Sequence, residues 1–185
     1  MPATLIVPPG AEPVSLAEVK ASLRLTDAAE DALAAAMIAT ARSHVEAVTR
    51  RQLVTQTWRV TLDAWPRDGV VELGLAPVRR LIAVEVTDAS GGVIALQAEL
   101  FHIDRARLPG RLRAPPGLRA PGRASAGIAV DVEVGHGTPA EVPAPLREAI
   151  LRLAGAFITE RGPTEGRPIP DIVEALIAPY RVLSP

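Results

Sequence analysis

His44, His102 and His136 are the residues of this chain best suited to binding a metal or moving a proton near neutral pH. A zinc or general-base site needs them paired at helical or hairpin spacing, and none has a second histidine at ligand distance. His44 falls on the apolar stripe of an expected long helix, which reads as a core or interface histidine. His102 falls in an expected strand, and His136 in the turn Gly135-His136-Gly137. That turn lacks the third glycine of a dinucleotide fingerprint, and no helix starts directly after it. Ser125 stands in Gly122-Arg123-Ala124-Ser125-Ala126-Gly127, which is not a nucleophile elbow, and no strand leads sharply into it. The carboxylates are spread as a solvated face, with no pair set in an apolar environment that would tune it for acid–base work. There is no cysteine, so thiolate chemistry, disulfides and cysteine-ligated zinc are all removed. The expectation is no catalytic residue, no cofactor and no metal. A small hydrolase would need a Ser/His or carboxylate site that only folding could assemble.

Two other segments could carry function by contact. Between residues 105 and 123 there are six arginines (Arg105, Arg107, Arg111, Arg113, Arg119 and Arg123) and no acid. Pro109, Pro115, Pro116 and Pro121 forbid regular helix there. The reading is a stiff basic loop with a short strand from Arg111 to Arg113. It could skim nucleic-acid phosphates or pair with an acidic surface, or be a solvated loop in an arginine-biased chain. The second segment is the tail Pro179-Tyr180-Arg181-Val182-Leu183-Ser184-Pro185, apolar for a terminus. Such a peptide docks on another subunit as an added strand or short anchor, or folds back on its own helices.

The elements that must position these segments follow from periodicity. Ser15-Leu16-Ala17-Glu18 is a capping box with a Val14/Val19 staple, opening a short helix to about Leu25. Asp27 with Glu30 gives a second start signal. A helix is expected from Ala28 to Arg50, with Leu33, Met37, Ala41, His44, Val45 and Val48 as its stripe. Ala32, Ala34, Ala35, Ala36 and Ala39 keep that rod slim, suiting it to lateral packing. From Thr55 the period becomes two: Trp58, Val60 and Leu62; Ile82, Val84 and Val86; Ile128, Val130, Val132 and Val134. Ser90-Gly91-Gly92 predicts a hairpin into Val93–Leu96. Shorter strands are expected at Val70–Leu73 and Phe101–Ile103. Helical period returns after Pro143-Ala144-Pro145 with Leu146, Ile150, Leu153, Ala154 and Phe157, and stops near Arg161-Gly162-Pro163. Asp171 opens a last short helix through Leu176 and Ile177.

The fold expected is α+β: N- and C-terminal helices form one bundle with a small antiparallel β-sheet or sandwich inserted between them. The parts would be 1–52 (N-terminal helical part), 53–137 (inserted β region), 138–177 (C-terminal helices) and 178–185 (tail). A hydrophobic content of 48% excludes disorder of the whole chain. Aromatics make only 3%, so the cores must rest on Leu, Val, Ile and Ala, and association with copies or partners would be a further source of stability. A net charge of −1 argues against a general nucleic-acid or membrane-surface binder. The opening residues have no basic n-region and their apolar run is broken by prolines, so no signal peptide is expected. No apolar run approaches the ~20 residues of a membrane span. A soluble intracellular product is expected.

Several stretches, in order, resemble one known group. Pro13-Val14-Ser15-Leu16-Ala17-Glu18-Val19-Lys20 with Leu23-Arg24-Leu25, and the acidic entry from Asp27 to Asp31, look like the start of the tailed-phage head–tail connector (adaptor) family. Thr55-Gln56-Thr57-Trp58 and Leu62-Asp63-Ala64-Trp65-Pro66 are similar to its exit into the sheet. Val142-Pro143-Ala144-Pro145-Leu146-Arg147-Glu148-Ala149-Ile150 looks like its returning helix, and Glu174-Ala175-Leu176-Ile177-Ala178-Pro179-Tyr180-Arg181 like its closing motif. Pro109-Gly110-Arg111-Leu112 fits as well, while Leu118, Arg119 and Ala120 replace an aromatic expected there. The same pattern occurs in the adaptor of phage-like gene transfer agents, particles encoded in bacterial chromosomes.

The resemblance implies a structural protein made in the bacterial cytoplasm and placed at the head–tail junction of a virion or phage-like particle. Copies would form a homo-oligomeric, dodecameric ring beneath the portal protein and present a surface to a stopper or other tail-side connector. Double-stranded DNA would pass through the lumen, with no membrane partner. Ile177, Pro179, Tyr180, Arg181, Val182 and Leu183 would be the portal-docking tail, and the six arginines would face DNA or a partner. The alternative is a DNA-binding module acting through the loop 105–123.

Overall fold

The computed structural model describes residues 2–159 and 169–182. Among them the strands are β1 (Ala3–Val7), β2 (Gln56–Leu62), β3 (Val70–Glu72), β4 (Val78–Thr87), β5 (Val93–Leu96), β6 (His102–Asp104), β7 (Arg111–Arg113) and β8 (Ile128–Val134). The α-helices are α1 (Leu16–Leu23), α2 (Asp31–Thr49), α3 (Ala144–Thr159) and α4 (Asp171–Ile177). The chain divides into two compact units, each interrupted in sequence by the other. One holds residues 1–9 and 55–135; the other holds 10–54 and 136–185.

The first unit is all β. Its larger sheet has the order β1-β2-β8-β4-β5, every neighbour antiparallel. A second sheet has the order β3-β7-β6. Register explains the core: Val60 pairs with Val130, which pairs with Val84, and Leu62 pairs with Ile128, which pairs with Val86. Because side chains alternate, those rows line one face, and all six residues are buried. Val71 and Leu112, paired across β3 and β7, join the same core. Trp65 and Phe101 pack with ring centres 5.8 Å apart, and the Trp65 indole N–H donates to the Arg119 carbonyl at 3.0 Å.

Two expectations are corrected here. The β region is not a small inserted sheet but eight strands in two sheets. It also recruits the N-terminus: β1 pairs with β2 in a segment expected to belong to the helical part. The missed signal is Ala3–Val7, a β-branched apolar run bounded by Pro2 and by Pro8-Pro9. In β4, Val84 and Val86 are buried as expected but Ile82 is 39% exposed. The register shifts between Leu81 and Ala83, which breaks the alternation and turns Leu81 to the core instead.

The second unit is helical. Ser15 caps α1 as its sequence predicts: the Glu18 N–H donates to Ser15 Oγ at 3.2 Å, and Glu18 Oε2 accepts from the Ser15 N–H at 2.7 Å. The Asp27 signal instead makes a turn, with Asp27 Oδ1 accepting from the Ala29 N–H, and α2 begins at Asp31. The buried stripe of α2 is Ala34, Ile38, Ala41, Val45 and Thr49, about one residue round from the expected one. Leu33 is 43% exposed, and Met37 and Val48 lie at the margin. α2 packs on α3, and Ala34 and Ala41 present small side chains to the core, so close packing rather than side-chain size selects the inward face. α3 contributes Leu146, Ile150, Leu153, Ala154 and Ile158; Phe157 packs from the edge. α4 adds Val173 and Ile177. The expected stop at residues 161–163 lies outside the described residues.

Candidate functional site

The arginine segment belongs to the β unit, and the structure distributes rather than gathers its charges. Arg111–Arg113 is the strand expected there, the centre of the three-stranded sheet. Its position is fixed by Gly110, whose N–H donates to the Leu75 carbonyl and whose carbonyl accepts from the Leu73 N–H, both at 3.2 Å. A Cβ on Gly110 would meet Val78 Cγ2 at 2.6 Å, so any larger residue must push Val78 aside. Arg111 Nε reaches Glu72 Oε1 at 2.5 Å across the β3–β7 pair. Arg123 Nε donates to the Ser125 carbonyl at 2.8 Å. Arg105, Arg107 and Arg113 are exposed and enter no ion pair among the described residues. Arg119 is also exposed, its charge helping to lower the carboxyl of Asp88, where the Ser90 hydroxyl is the main cause.

The tail belongs to the helical unit and is held there. Ala178–Tyr180 continues α4 as a 3₁₀ turn. Ile177 is fully buried, Tyr180 packs on the helical core and Val182 is buried. Two hydrogen bonds pin the segment: Arg51 Nε to the Tyr180 carbonyl at 2.6 Å, and the Val182 N–H to the Thr49 carbonyl at 3.0 Å. Of the sequence alternatives, the described part of the tail folds onto its own helices. Pro179 and Arg181 stay exposed, and Leu183 lies outside the described residues.

A charged lattice that sequence reading did not single out covers the polar face of the larger sheet. Arg59 binds Asp131 through two nitrogens, and its Nη2 also reaches Glu85 Oε2 at 3.3 Å. The Asp131 hydrogen bonds raise the pKa of Arg59. Glu133 accepts from Arg80 at 2.9 Å, which holds its carboxyl below the ordinary value, with Arg79 adding to the effect. Period-two alternation was the available signal: Arg59, Asp131 and Glu133 all fall on the off-core register.

Among the described residues His44 and His102 stand apart from any metal-binding cluster. His44 lies on α2 beside the buried stripe, with its Nε2 buried and unbonded. A hollow of about 480 Å³ is lined by Leu81, Phe101, His102, Ile103 and Arg105, and it holds neither a carboxylate nor a hydroxyl. Among the described residues no cluster of three or more His, Cys, Asp or Glu could hold a metal ion, and no helix is long and apolar enough to cross a membrane. What the geometry offers is contact surface.

No family model matches the chain, and no curated protein matches it. Solved structures do. A chain in the neck of an empty gene transfer agent particle, computed with C6 symmetry, superposes with a TM-score of 0.85 at 25% identity, covering 100% of this chain and 97% of that one. A chain in the neck of a native particle, computed with C12 symmetry, gives 0.79 at 26% identity over the same shares. A chain in the virion of a native gene transfer agent particle gives 0.83 at 23% identity, again covering 100% and 97%.

Proposed function

We propose that this chain is a head–tail connector of the adaptor type, one subunit of a ring in the neck of a tailed phage or gene transfer agent particle. One observation carries the reading. A neck chain follows this one through both units at once, from end to end, with a TM-score of 0.85. A shared β unit alone would be weak support, because folds are reused across functions. Agreement over both interrupted units in the same chain order is far harder to reach by chance.

The role is structural, and its place is the head–tail junction. The portal lies on one side of the ring and a tail-side connector on the other. The finer assignments are our reading: twelve copies, a lumen passing double-stranded DNA, and the segment from Ile177 onward as the portal anchor. In support, Pro179 and Arg181 are exposed on a segment whose Ile177, Tyr180 and Val182 are fixed to the helices, so a partner would meet a pre-ordered surface.

The test is to produce the chain with a compact tag alongside portal, capsid and tail proteins and image the particles. Density for this chain as a ring in the neck is the expected result. Tailed particles that form normally without the chain would refute the reading.

The second reading, a DNA-binding module, draws support from exposed Arg105, Arg107 and Arg113. It requires duplex affinity that falls steeply with salt and drops when Arg111 and Arg113 become Ala. Lack of binding at low salt removes it.

A further inference from the structure

The charge of the five-stranded sheet is confined to its inner strands. β2 carries Arg59, β4 carries Arg79, Arg80 and Glu85, and β8 carries Asp131 and Glu133. The two outer strands, β1 (Ala-Thr-Leu-Ile-Val) and β5 (Val-Ile-Ala-Leu), carry none. A monomer that protects its edges does the reverse, placing charges or prolines on the outer strands. Here the prolines bound β1 without entering it. Every β1 residue is exposed, Val7 at 52%, and Val93 on β5 is 63% exposed.

Hydrogen-bond alternation shows what each edge offers. The Thr61 N–H donates to the Pro2 carbonyl, so the N–H and C=O groups of Ala3 and Leu5 point away from β2. On the other side, the Asp88 N–H donates to the Gly92 carbonyl, so the groups of Val93 and Ala95 point away from β4. Because all four pairings between these edges are antiparallel, β1 and β5 run in the same direction.

We propose that β1 of one copy adds in parallel to β5 of the next, joining the five-stranded sheets of neighbouring copies edge to edge. In the matching register Leu5 lies opposite Ile94. The Leu5 N–H then donates to the Val93 carbonyl, and the Leu5 carbonyl accepts from the Ala95 N–H. Leu5 sits on the same face as its partner Trp58, and Ile94 on the same face as buried Val86, so this register also continues the apolar layer across the joint. This inference rests on the ring reading. A closed ring needs two different, complementary patches on each copy, and these two edges are such a pair. Pairing of β1 with β1 would give a twofold dimer and stop there.

The chain has no cysteine, so introduced ones report alone. The double variant Leu5→Cys/Ile94→Cys, produced with the other particle proteins and oxidised, is expected to give a ladder of covalent multimers, while either single variant gives none. Dimers from Leu5→Cys alone would overturn the joint in favour of twofold pairing. Rings seen in the necks without a ladder would overturn the joint and leave the proposed function standing. A chain that enters no neck and forms no ring would overturn both. As a second variant, Leu5→Pro removes an outward N–H without touching the bonds to β2. Ring incorporation should be lost while the circular dichroism of the isolated chain is kept; rings forming as before would again overturn the joint.

Discussion

Arg59 and Asp131 face each other across β2 and β8 and meet through two parallel bonds, Nε to Oδ1 and Nη2 to Oδ2, each 2.7 Å. This is the bidentate geometry that makes arginine–carboxylate pairs strong. Asp131 is the one charged residue that is buried among the described residues. Changing Asp131 to Ala leaves the guanidinium with Glu85 as its remaining carboxylate partner. A loss of about 1–3 kcal/mol is expected in urea unfolding. The double change Arg59→Ala/Asp131→Ala should lose less than the sum of the singles, because the pair acts as a unit.

Acid should weaken the protein through specific carboxylates. Glu18 is held below its ordinary 4.5 by the Ser15 backbone N–H and then the Ser15 hydroxyl, with Arg147 adding to the effect. A carboxylate depressed in the folded state gives stability that is fully present above its unfolded value and lost as pH falls through the lower folded value. Melting temperatures of wild type and Glu18→Gln should therefore differ at neutral pH, and the gap should narrow as the pH falls below the ordinary carboxylate value. A constant gap across that range would exclude the linkage. Glu133, lowered by Arg80, should behave in the same way.

Glycine 110 anchors the arginine segment, and its lack of a side chain can be tested directly. Gly110→Ala must displace Val78, which is itself buried. About 1–3 kcal/mol of destabilisation is expected from such overpacking. The companion change Val78→Ala in the same chain should restore part of it, read as a rise in melting temperature over Gly110→Ala alone.

Fold and docking separate at the tail. Val182→Ala should cost about 1–2 kcal/mol, since its buried methyl groups are lost while the N–H bond to Thr49 remains. Arg181 is exposed, so Arg181→Glu should leave the melting temperature within about 1 °C of wild type. If the segment anchors the portal, that same variant should bind portal-bearing heads more weakly in co-sedimentation. Unchanged co-sedimentation would move the docking surface elsewhere.

Local rules alone were enough for much of this molecule. The Ser15 capping box, the two-residue alternation of β2, β8 and the end of β4 from Val84, the Gly-rich hairpin into β5 and the strand at Arg111–Arg113 all follow from groups within a few residues of one another. The absence of paired histidines and of cysteine was equally plain in the chain. Tertiary structure decided the rest, because it depends on partners far away in sequence. β1 is a strand because β2, some fifty residues later, supplies its hydrogen bonds. The inward face of α2 was set by how closely α3 approaches, which rewards Ala34 and Thr49 over the larger Leu33.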